Sequence, residues 1–364
     1  MILLLTAAAC AYQMLAVVAC LMFLRSAKAG KHAHAAGHGG DVLIAPVSIL
    51  KPVRGLDPAF ADAIRTHTVL AGEYEFLCGV RDDDPAIALL KELPGVTLVP
   101  VRTIKPNRKV GALIDLAAAA KYPILIVNDS DIRVEPDYLQ RVTAPLADQN
   151  VGLVTCLYRP IGKTFAARFE GMGVTTDFAP STLVARLLGV NEFGMGSTLA
   201  FRRADLERIG GFASIADYLA DDYQLGRHIH ALGLKCVLSD VIVETNMGGN
   251  WREVWAHQLR WARTIRVTKF GGYLGLPITN ATLWVLIAAL AGHGRMALAC
   301  MATRYLMALV SGWVVMRSAD FLRLFLLLPA RDLFGFAVWL AALAGKTVEW
   351  RGLRLRLDSH GRIR

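Results

Sequence analysis

Two aspartates that could bind a cation directly follow a short apolar run near the middle of the chain. Asp129 and Asp131 end the segment Ile124-Leu-Ile-Val-Asn-Asp-Ser-Asp131, whose first four residues are apolar and mostly β-branched. Such a run predicts a strand buried on both faces, with its carboxyl end at the sheet edge where α/β proteins bind ligands. Neighbouring carboxylates repel unless a cation lies between them, and Mg²⁺ prefers oxygen ligands and substrate phosphates. The pattern indicates a metal–diphosphate site, although Asn, Asp and Ser are also typical of an ordinary turn.

Acidic residues also follow a second predicted strand and begin a predicted helix. The strand at 75–80 ends in Arg81-Asp82-Asp83-Asp84, and a helix is expected to begin within Asp217-Tyr-Leu-Ala-Asp-Asp-Tyr223. If the strands before Asp82 and Asp129 are neighbours, both acidic clusters face one crevice. Helix capping explains some of the aspartates at 217–222, because the helix dipole favours acidic residues in the first turn. Helix capping is a weaker explanation for the presence of all three aspartates, Asp217, Asp221 and Asp222.

Strands and helices alternate through the first half of the region that carries these residues. Strands are predicted at 47–50, 75–80, 96–101 and 124–127, with helices near 58–70 and 86–93 and a third helix that follows 107–109 and runs through 120. Alternation of this length predicts a parallel sheet with helices on its faces, so the fold class is α/β. The second half is less regular, with a strand at 151–158, a Gly-rich entry into another strand at 194–202 and a helix at 251–268.

The two ends of the chain are too apolar for an ordinary soluble protein. Hydrophobic residues make up 54% of the 364 residues and charged residues only 19%. Residues 1–25 are long enough to cross a bilayer, and a Gly/Ala/His-rich linker is expected at 26–45. Basic residues follow this first apolar run and none precedes it. The positive-inside rule therefore predicts a retained transmembrane helix with the next domain in the cytoplasm.

The C-terminal apolar region, 277–345, predicts transmembrane and re-entrant segments. Residues 278–290 are short for a crossing, 296–316 are long enough, and 321–344 are interrupted by Pro329-Ala-Arg-Asp332. Because charged residues at membrane depth are costly, we expect an interfacial or re-entrant segment beside two full crossings. A basic cytoplasmic tail is expected at 346–364. The net charge of +10, clustered beside the apolar segments, favours an anionic membrane surface over nucleic acid.

An amphipathic helix is predicted in the segment 251–276. Helical spacing places His257, Arg260 and Thr264 on one face, while Trp251 and Trp255 lie on another. A basic stripe beside an aromatic stripe suits a helix that lies at the membrane surface. A solvated positive face is the alternative.

Taken together, these motifs resemble those of the ceramide glucosyltransferase family, which comprises membrane-bound enzymes of the GT-A fold and includes bacterial hopanoid-modifying relatives. The resemblance runs from about residue 46 to 266 and rests on three aspartate motifs and a (Q/R)-x-x-R-W box. In this sequence they read Gly79-Val-Arg-Asp82, Asp129-Ser-Asp131, Leu219-Ala-Asp-Asp222 and His257-Gln-Leu-Arg260-Trp261. His257 stands where the family has Gln or Arg, and Gln258 is displaced by one residue, so no role is carried over to either.

The resemblance implies a GT-A (nucleotide-diphospho-sugar transferase) domain at 46–250, between N-terminal and C-terminal transmembrane helices. It implies that Asp129 and Asp131 hold the diphosphate of a UDP-sugar through Mg²⁺ or Mn²⁺. The other implied roles are the uracil and ribose contact for Asp82, donor binding for Asn107 and Lys109, the general base for Asp222, and stabilisation of the leaving diphosphate for Arg260 with Trp261 beside it.

The resemblance further implies an inverting transfer of a hexose, with UDP-glucose as the expected donor, to a membrane lipid such as ceramide. The product would be a β-glycolipid. Transfer of N-acetylglucosamine to a hopanoid polyol, a polysaccharide synthase and a non-catalytic nucleotide-sugar-binding protein are the alternatives. The few apolar segments disfavour a synthase channel, and the three acidic motifs disfavour a degenerate binding protein. We expect an integral protein of the bacterial inner membrane with a cytoplasmic catalytic domain and no nucleic-acid partner.

Overall fold

The structure is a computed structural model that describes residues 1–35, 45–57, 59–350 and 352–364. The strands are β1 (Val47–Pro52), β2 (Tyr74–Val80), β3 (Val96–Pro100), β4 (Ile124–Val127), β5 (Ile132–Arg133), β6 (Val151–Gly162), β7 (Leu199–Arg202), β8 (Lys235–Met247), β9 (Thr347–Trp350) and β10 (Leu353–Arg356). The helices are α1 (Ile2–Ala35), α2 (Phe60–His67), α3 (Ala86–Glu92), α4 (Arg108–Ala119), α5 (Tyr138–Thr143), α6 (Phe165–Gly173), α7 (Ala179–Leu187), α8 (Arg203–Arg208), α9 (Asp221–Ala231), α10 (Trp251–Thr268), α11 (Phe270–Thr279), α12 (Ala281–Leu290), α13 (Gly294–Ala308), α14 (Ala319–Arg323) and α15 (Leu328–Leu343).

The main sheet runs in the order β3-β2-β1-β4-β7-β6-β8-β5. Strand β1 is parallel to β2 and β4, and β2 is parallel to β3, whereas β7 is antiparallel to β4. Because parallel strands share a carboxyl edge, the segments after β1, β2 and β4 emerge at the same side of the sheet. The predicted α/β class is confirmed, and antiparallel strands enter in the second half, where the sequence is less regular.

Apolar side chains cover both faces of the sheet. All four residues of β4 are buried. One face packs beneath α2 and α3 through residues such as Phe60 and Leu90, and the other packs beneath α4 and α9 through residues such as Leu113 and Leu225. Burial on both faces explains why β4 is continuously apolar in sequence rather than alternating.

Among the described residues, three helical stretches are long and apolar enough to cross a membrane: Ile2–Lys28, Gly294–Val315 and Phe325–Leu343. Helices α11 and α12 meet the same requirement together, but they are bent by 53° at Asn280. The Asn280 side chain caps α12 by accepting a hydrogen bond from the Leu283 N–H at 3.1 Å. The apolar helices predicted at both ends of the chain are therefore present.

The interruption expected at Pro329-Ala-Arg-Asp332 lies elsewhere. Pro329 occupies the first turn of α15, where a missing N–H costs nothing, and Arg331 and Asp332 are buried. The bend falls instead between α11 and α12. The sequence was misleading because the charges in α15 find partners on neighbouring helices, which a single apolar segment cannot reveal.

Two predicted boundaries also differ from the structure. Helix α1 continues to Ala35, so residues 26–35 of the expected linker are helical, while residues 36–44 lie outside the described ranges. The expected basic tail at 346–364 contains the antiparallel pair β9 and β10. Its Val348 and Leu357 pack against Leu219, which brings this segment onto the loop that precedes α9.

Candidate active site

A cavity of about 1590 Å³ opens at the carboxyl edge of the sheet and is closed on its other side by α10. Most of the residues predicted from the sequence line it: Lys109, Asp129, Asp131, Asp222, Arg260 and Trp261. Asp82 is exposed in the turn after β2. The residues Arg81, Asp83 and Asp84 of that turn line the cavity, whereas Asp82 is not among the lining residues.

The turn after β4 is anchored by Asn128, which is fully buried. Its Nδ2 donates hydrogen bonds to the Ser197 carbonyl at 2.7 Å and to Tyr138 Oη at 2.9 Å. The next residue, Asp129, donates its N–H to the Gly196 carbonyl at 3.2 Å. These bonds tie the end of β4 to the loop that leads into β7. The turn residues thus make an ordinary turn, and that turn places Asp129 at the cavity.

Asp131 is held more deeply than Asp129. It accepts a hydrogen bond from the Thr245 hydroxyl of β8, while 40% of the Asp129 side chain is exposed. Burial, followed by the negative charge of Asp129, raises the pKa of Asp131. At Gly196 an added Cβ would lie 2.6 Å from Asp129 Oδ2. Only glycine therefore allows the backbone to approach this carboxylate so closely.

Lys109 supplies a positive charge beside these carboxylates. Its Nζ lies 2.6 Å from Asp129 Oδ1 and 3.3 Å from Asp221 Oδ2. Burial alone would lower the pKa of Lys109, but the charges of Asp129 and Asp221 raise it above its ordinary value. Lys109 is therefore a cation at neutral pH, and its compact charge can meet a phosphate oxygen.

Asn107 lies behind the cavity rather than in its wall. It is fully buried, and its Oδ1 caps α4 by accepting a hydrogen bond from the Lys109 N–H at 3.0 Å. Its Nδ2 donates to Asp221 Oδ1 at 3.2 Å. Asn107 therefore orients Lys109 and Asp221, while the donor contact that the family resemblance implied for it stays a prediction.

Asp222 lies in the first turn of α9 and faces the same loop as Asp129. Its Oδ2 accepts a hydrogen bond from the Gly196 N–H at 2.8 Å, and its Oδ1 accepts one from the Tyr223 N–H at 2.8 Å. Burial, followed by the charge of Asp221, raises the pKa of Asp222 to about 6. A carboxylate whose pKa is near the operating pH is suited to act as a general base.

Helix α10 forms the opposite wall with His257, Arg260 and Trp261. His257 Nδ1 lies 2.6 Å from Glu170 Oε1, and Gln258 Nε2 donates to the same oxygen at 2.8 Å. The Glu170 side chain is only 2% exposed. His257 lines the cavity whereas Gln258 does not, so the first residue of the box faces the cavity even though its type departs from the family pattern.

The two stripes predicted on α10 face different neighbours. The stripe of His257, Arg260 and Thr264 lines the cavity, and the ring of Trp255 packs 5.6 Å from the ring of Phe334 on α15. The basic face is therefore turned toward the candidate site. The position of α10 at a membrane surface stays a prediction.

Three residues that matter to the site were missed from the sequence. Lys51 is fully buried at the end of β1, and its Nζ donates to the Ile132 carbonyl at 3.2 Å, below the acidic turn. Burial lowers the pKa of Lys51 to about 8. A charged residue within an apolar strand or helix indicates a specific role, so Lys51 and Glu170 could have been predicted from the sequence. Trp350 lines the cavity from β9, and nothing in its sequence context predicts this position.

The carboxylates suit a cation that completes its coordination with substrate. Within the described residues, no group of three or more His, Cys, Asp or Glu side chains is placed to hold a metal ion. Mg²⁺, however, is commonly bound by one or two carboxylates together with phosphates and water. Asp129 and Asp131 provide such a pair, and a cation between them would offset the cost of burying Asp131 and its repulsion by Asp129, which together raise the pKa of Asp131.

Asp129, Asp131 and Asp222 belong to the aspartate motifs that resemble those of GT-A glycosyltransferases, and they gather at one cavity at the carboxyl edge of the α/β sheet. Apolar helices at both ends add the features of a membrane protein. The chain matches glycosyl transferase family 21 over residues 1–363 and belongs to that family. The family and the fold class predicted from the sequence are confirmed, whereas the UDP-sugar donor and the lipid acceptor stay predictions.

Two ceramide glucosyltransferases of Caenorhabditis elegans are similar to this chain. Ceramide glucosyltransferase 1 is 28% identical over 211 residues, which are 55% of this chain and 45% of the relative. Ceramide glucosyltransferase 3 is 29% identical over 211 residues, which are 55% of this chain and 46% of the relative. The match therefore spans about half the length of each relative.

Two solved structures are also similar. The mannosyltransferase PcManGT from Pyrobaculum calidifontis, in complex with GDP-Man and Mn²⁺, is 19% identical with a TM-score of 0.47, covering 92% of this chain and 99% of that one. Glucosyl-3-phosphoglycerate synthase from Mycobacterium tuberculosis, in complex with Mg²⁺ and uridine-diphosphate, is 19% identical with a TM-score of 0.37, covering 65% of this chain and 82% of that one.

Proposed function

We propose that this glycosyltransferase moves a hexose from a UDP-sugar, with UDP-glucose as the first candidate, to the hydroxyl of a membrane lipid. The observation that carries the proposal is the convergence of Lys109, Asp129 and Asp222 on one cavity in a chain with apolar helices at both ends. Similarity to ceramide glucosyltransferases supports ceramide, or a lipid of similar headgroup, as the acceptor.

The donor would bind at the acidic turn. Asp129 and Asp131 would hold Mg²⁺ or Mn²⁺, which neutralises charge on the leaving diphosphate. Lys109 pairs with Asp129 at 2.6 Å and is placed to pair with a phosphate oxygen once the donor is bound. Arg260 would approach the diphosphate from the opposite wall, with Trp261 holding that wall in position.

Asp82 would contact the uracil and ribose. It is exposed in a turn whose neighbouring residues line the cavity, so a small change of that turn would bring its carboxylate to the nucleoside.

Transfer would follow a single displacement. Asp222, held by the N–H groups of Gly196 and Tyr223, would take the proton of the acceptor hydroxyl as its oxygen bonds to the anomeric carbon. The bond between that carbon and the diphosphate oxygen breaks, and UDP leaves with the bonding electrons. Attack from the face opposite the leaving group inverts the anomeric centre and gives a β-glycoside from an α-linked donor.

We place this reaction at the cytoplasmic face of a bacterial inner membrane. Arg25 and Lys28 follow the apolar part of α1, and the positive-inside rule puts such residues in the cytoplasm. The catalytic domain follows α1 in the chain and would lie on the same side, where nucleotide sugars are available.

A product assay tests the proposed function. Purified full-length protein in detergent is incubated with labelled UDP-glucose, UDP-galactose or UDP-N-acetylglucosamine, each with ceramide or a hopanoid polyol. We expect one labelled glycolipid of β configuration, lost with EDTA and restored by Mn²⁺ or Mg²⁺, because the donor is held through a cation. A lipid-free labelled polymer, or no labelled lipid from any pair, would contradict the proposal.

A further inference from the structure

A second cavity, of about 270 Å³, lies among the apolar helices. Its walls come from α1, α7, α10, α11, α13 and α15. Four residues line both this cavity and the catalytic one: Phe178, Ser181, Trp261 and Ile265. The rings of Phe178 and Trp261 lie 6.1 Å apart in this shared wall. We call this second space the helix cavity. It adjoins the catalytic cavity.

Charged residues line the helix cavity at positions where a membrane protein rarely carries them. Arg304 lies near the middle of the candidate span Gly294–Val315. Its guanidinium donates to both carboxylate oxygens of Asp332, at 2.9 and 2.6 Å, and to Asp177 Oδ1 at 2.6 Å. Ionisable residues within membrane spans are costly and commonly mark functional sites. This cluster is therefore a candidate functional site.

The charges around the helix cavity balance. Arg304 and Arg331 face Asp177 and Asp332, and Arg331 Nη1 lies 3.9 Å from Asp177 Oδ2. An anionic headgroup would add an unpaired negative charge next to Asp177, and a cationic one would add a positive charge next to two guanidinium groups. A neutral polar group avoids both penalties.

Asp177 is the member of the cluster that is open to a ligand. Its side chain is 43% exposed, compared with 2% for Arg304 and 3% for Asp332. It lies in the π-helical turn Val174–Phe178, a distortion that is frequent at functional sites. A carboxylate with spare acceptor capacity binds hydroxyl or amide N–H donors.

Two other lining residues keep unused hydrogen-bonding atoms. In the part of the chain that the structure describes, Gln13 Oε1 and Arg331 Nε are buried without a hydrogen-bond partner. Gln13 is 1% exposed and Arg331 5%. Buried polar groups are normally satisfied, so each unsatisfied one calls for an explanation. A polar ligand in the helix cavity, with the small side-chain adjustment that binding brings, supplies it.

We propose that the helix cavity binds the headgroup of the acceptor, a neutral lipid whose headgroup carries hydroxyl or amide N–H donors, with Asp177 as its main hydrogen-bond acceptor. This proposal rests on the proposed function and adds the acceptor's place in the protein. The lipid tail would lie along the apolar walls formed by residues such as Leu276 and Phe336. The reacting hydroxyl would pass Trp261 toward Asp222.

Filling the helix cavity tests this assignment. Ala262 lines the helix cavity but not the catalytic one, so Ala262→Leu obstructs the first and spares the second. We expect its KM for short-chain ceramide in detergent micelles to rise about tenfold or more, with the KM for UDP-sugar unchanged. Ala299→Leu, at an exposed position of α13, is the matched control and should behave as wild type.

A second variant and a binding measurement separate this proposal from the proposed function. Asp177→Asn keeps the shape of the side chain and should also raise the acceptor KM, with thermal unfolding checking that the protein is folded. A diazirine-bearing ceramide analogue and a diazirine-bearing hopanoid polyol should label peptides spanning 173–181 or 258–265 in the wild type. This labelling should be lost in Ala262→Leu. In the wild type, an excess of phosphatidylglycerol should not reduce it.

The outcomes are distinguishable. If the wild type makes glycolipid and Ala262→Leu keeps the wild-type acceptor KM, the headgroup binds elsewhere while the transfer function stands. If the wild type makes no glycolipid, the proposed function fails. The crosslinking experiment then tests by itself whether the helix cavity binds a lipid headgroup. Labelling elsewhere, labelling that survives Ala262→Leu, or displacement by phosphatidylglycerol would overturn the assignment.

Discussion

The Asp222→Asn protein should bind UDP nearly as tightly as wild type and yet transfer sugar about 10²–10⁴-fold more slowly, the range typical for loss of a general base. Asn has the same shape as Asp, and its oxygen can still accept one of the two hydrogen bonds from the Gly196 and Tyr223 N–H groups. What it cannot do is take a proton from the acceptor hydroxyl. Initial rates of glycolipid formation and UDP titrations by calorimetry measure the two effects separately.

Asp62→Asn provides the control for Asp222→Asn. Asp62 is an exposed carboxylate on α2 that pairs with Arg65, one helical turn away, and it lies outside the cavity lining. Its replacement should leave transfer and UDP binding unchanged. Full activity of Asp222→Asn would contradict the assignment of Asp222 as the general base. Parallel loss of UDP binding and turnover would instead make Asp222 a donor-binding residue.

Replacing Arg304 by Met should destabilise the protein by about 3–5 kcal/mol, the usual cost of removing one partner from a buried ion pair. The change leaves the buried carboxylate of Asp332 without its bidentate partner and frees the Thr176 carbonyl from its hydrogen bond at 2.9 Å. Arg304→Lys should restore little of the lost stability, because a single ammonium group cannot reproduce the bidentate hydrogen bonds of the planar guanidinium. Thermal unfolding in detergent, followed by tryptophan fluorescence, measures the change.

The matched variant for Arg304→Met is Arg323→Met. Arg323 also pairs with a carboxylate, Asp320, at 3.0 Å, but 64% of its side chain is exposed, and exposed ion pairs contribute little. Its melting temperature should stay close to that of wild type. Equal melting temperatures for the two variants would mean that the Arg304 cluster does not hold the apolar helices together.

The elements that could be read from the sequence are those determined by local pattern. Strand β4 was predicted with its observed bounds because burial on both faces makes it continuously apolar. Helix α10 was predicted equally well, since its spacing is regular and Asn250 caps it in a capping box with Glu253. The shared edge of parallel strands predicted that the turns after β2 and β4 lie on one side of the sheet, whereas the place of Asp222 beside Asp129 followed from the family resemblance alone.

The features that could not be read depend on contacts between distant residues. Asn107 donates a hydrogen bond to Asp221, which lies 114 residues further along the chain, so this contact has no local signal in the sequence. His257 and Glu170 are separated by 87 residues. The hairpin of β9 and β10 was predicted to be a basic tail because it has few apolar residues. Those residues pack on the loop before α9, a contact that the local sequence does not indicate.

The central claim is that the acidic turn after β4 holds a nucleotide diphosphate through a divalent cation. UDP titration of purified protein with Mn²⁺ or with EDTA, for the wild type and for Asp129→Asn, tests it most directly. We expect the wild type to bind UDP about tenfold or more tightly with Mn²⁺ than with EDTA, because the cation offsets charge that the carboxylates alone would repel. Asp129→Asn should lose most of that difference. Equal affinity of the wild type under both conditions, or an undiminished effect of Mn²⁺ in Asp129→Asn, would contradict the claim.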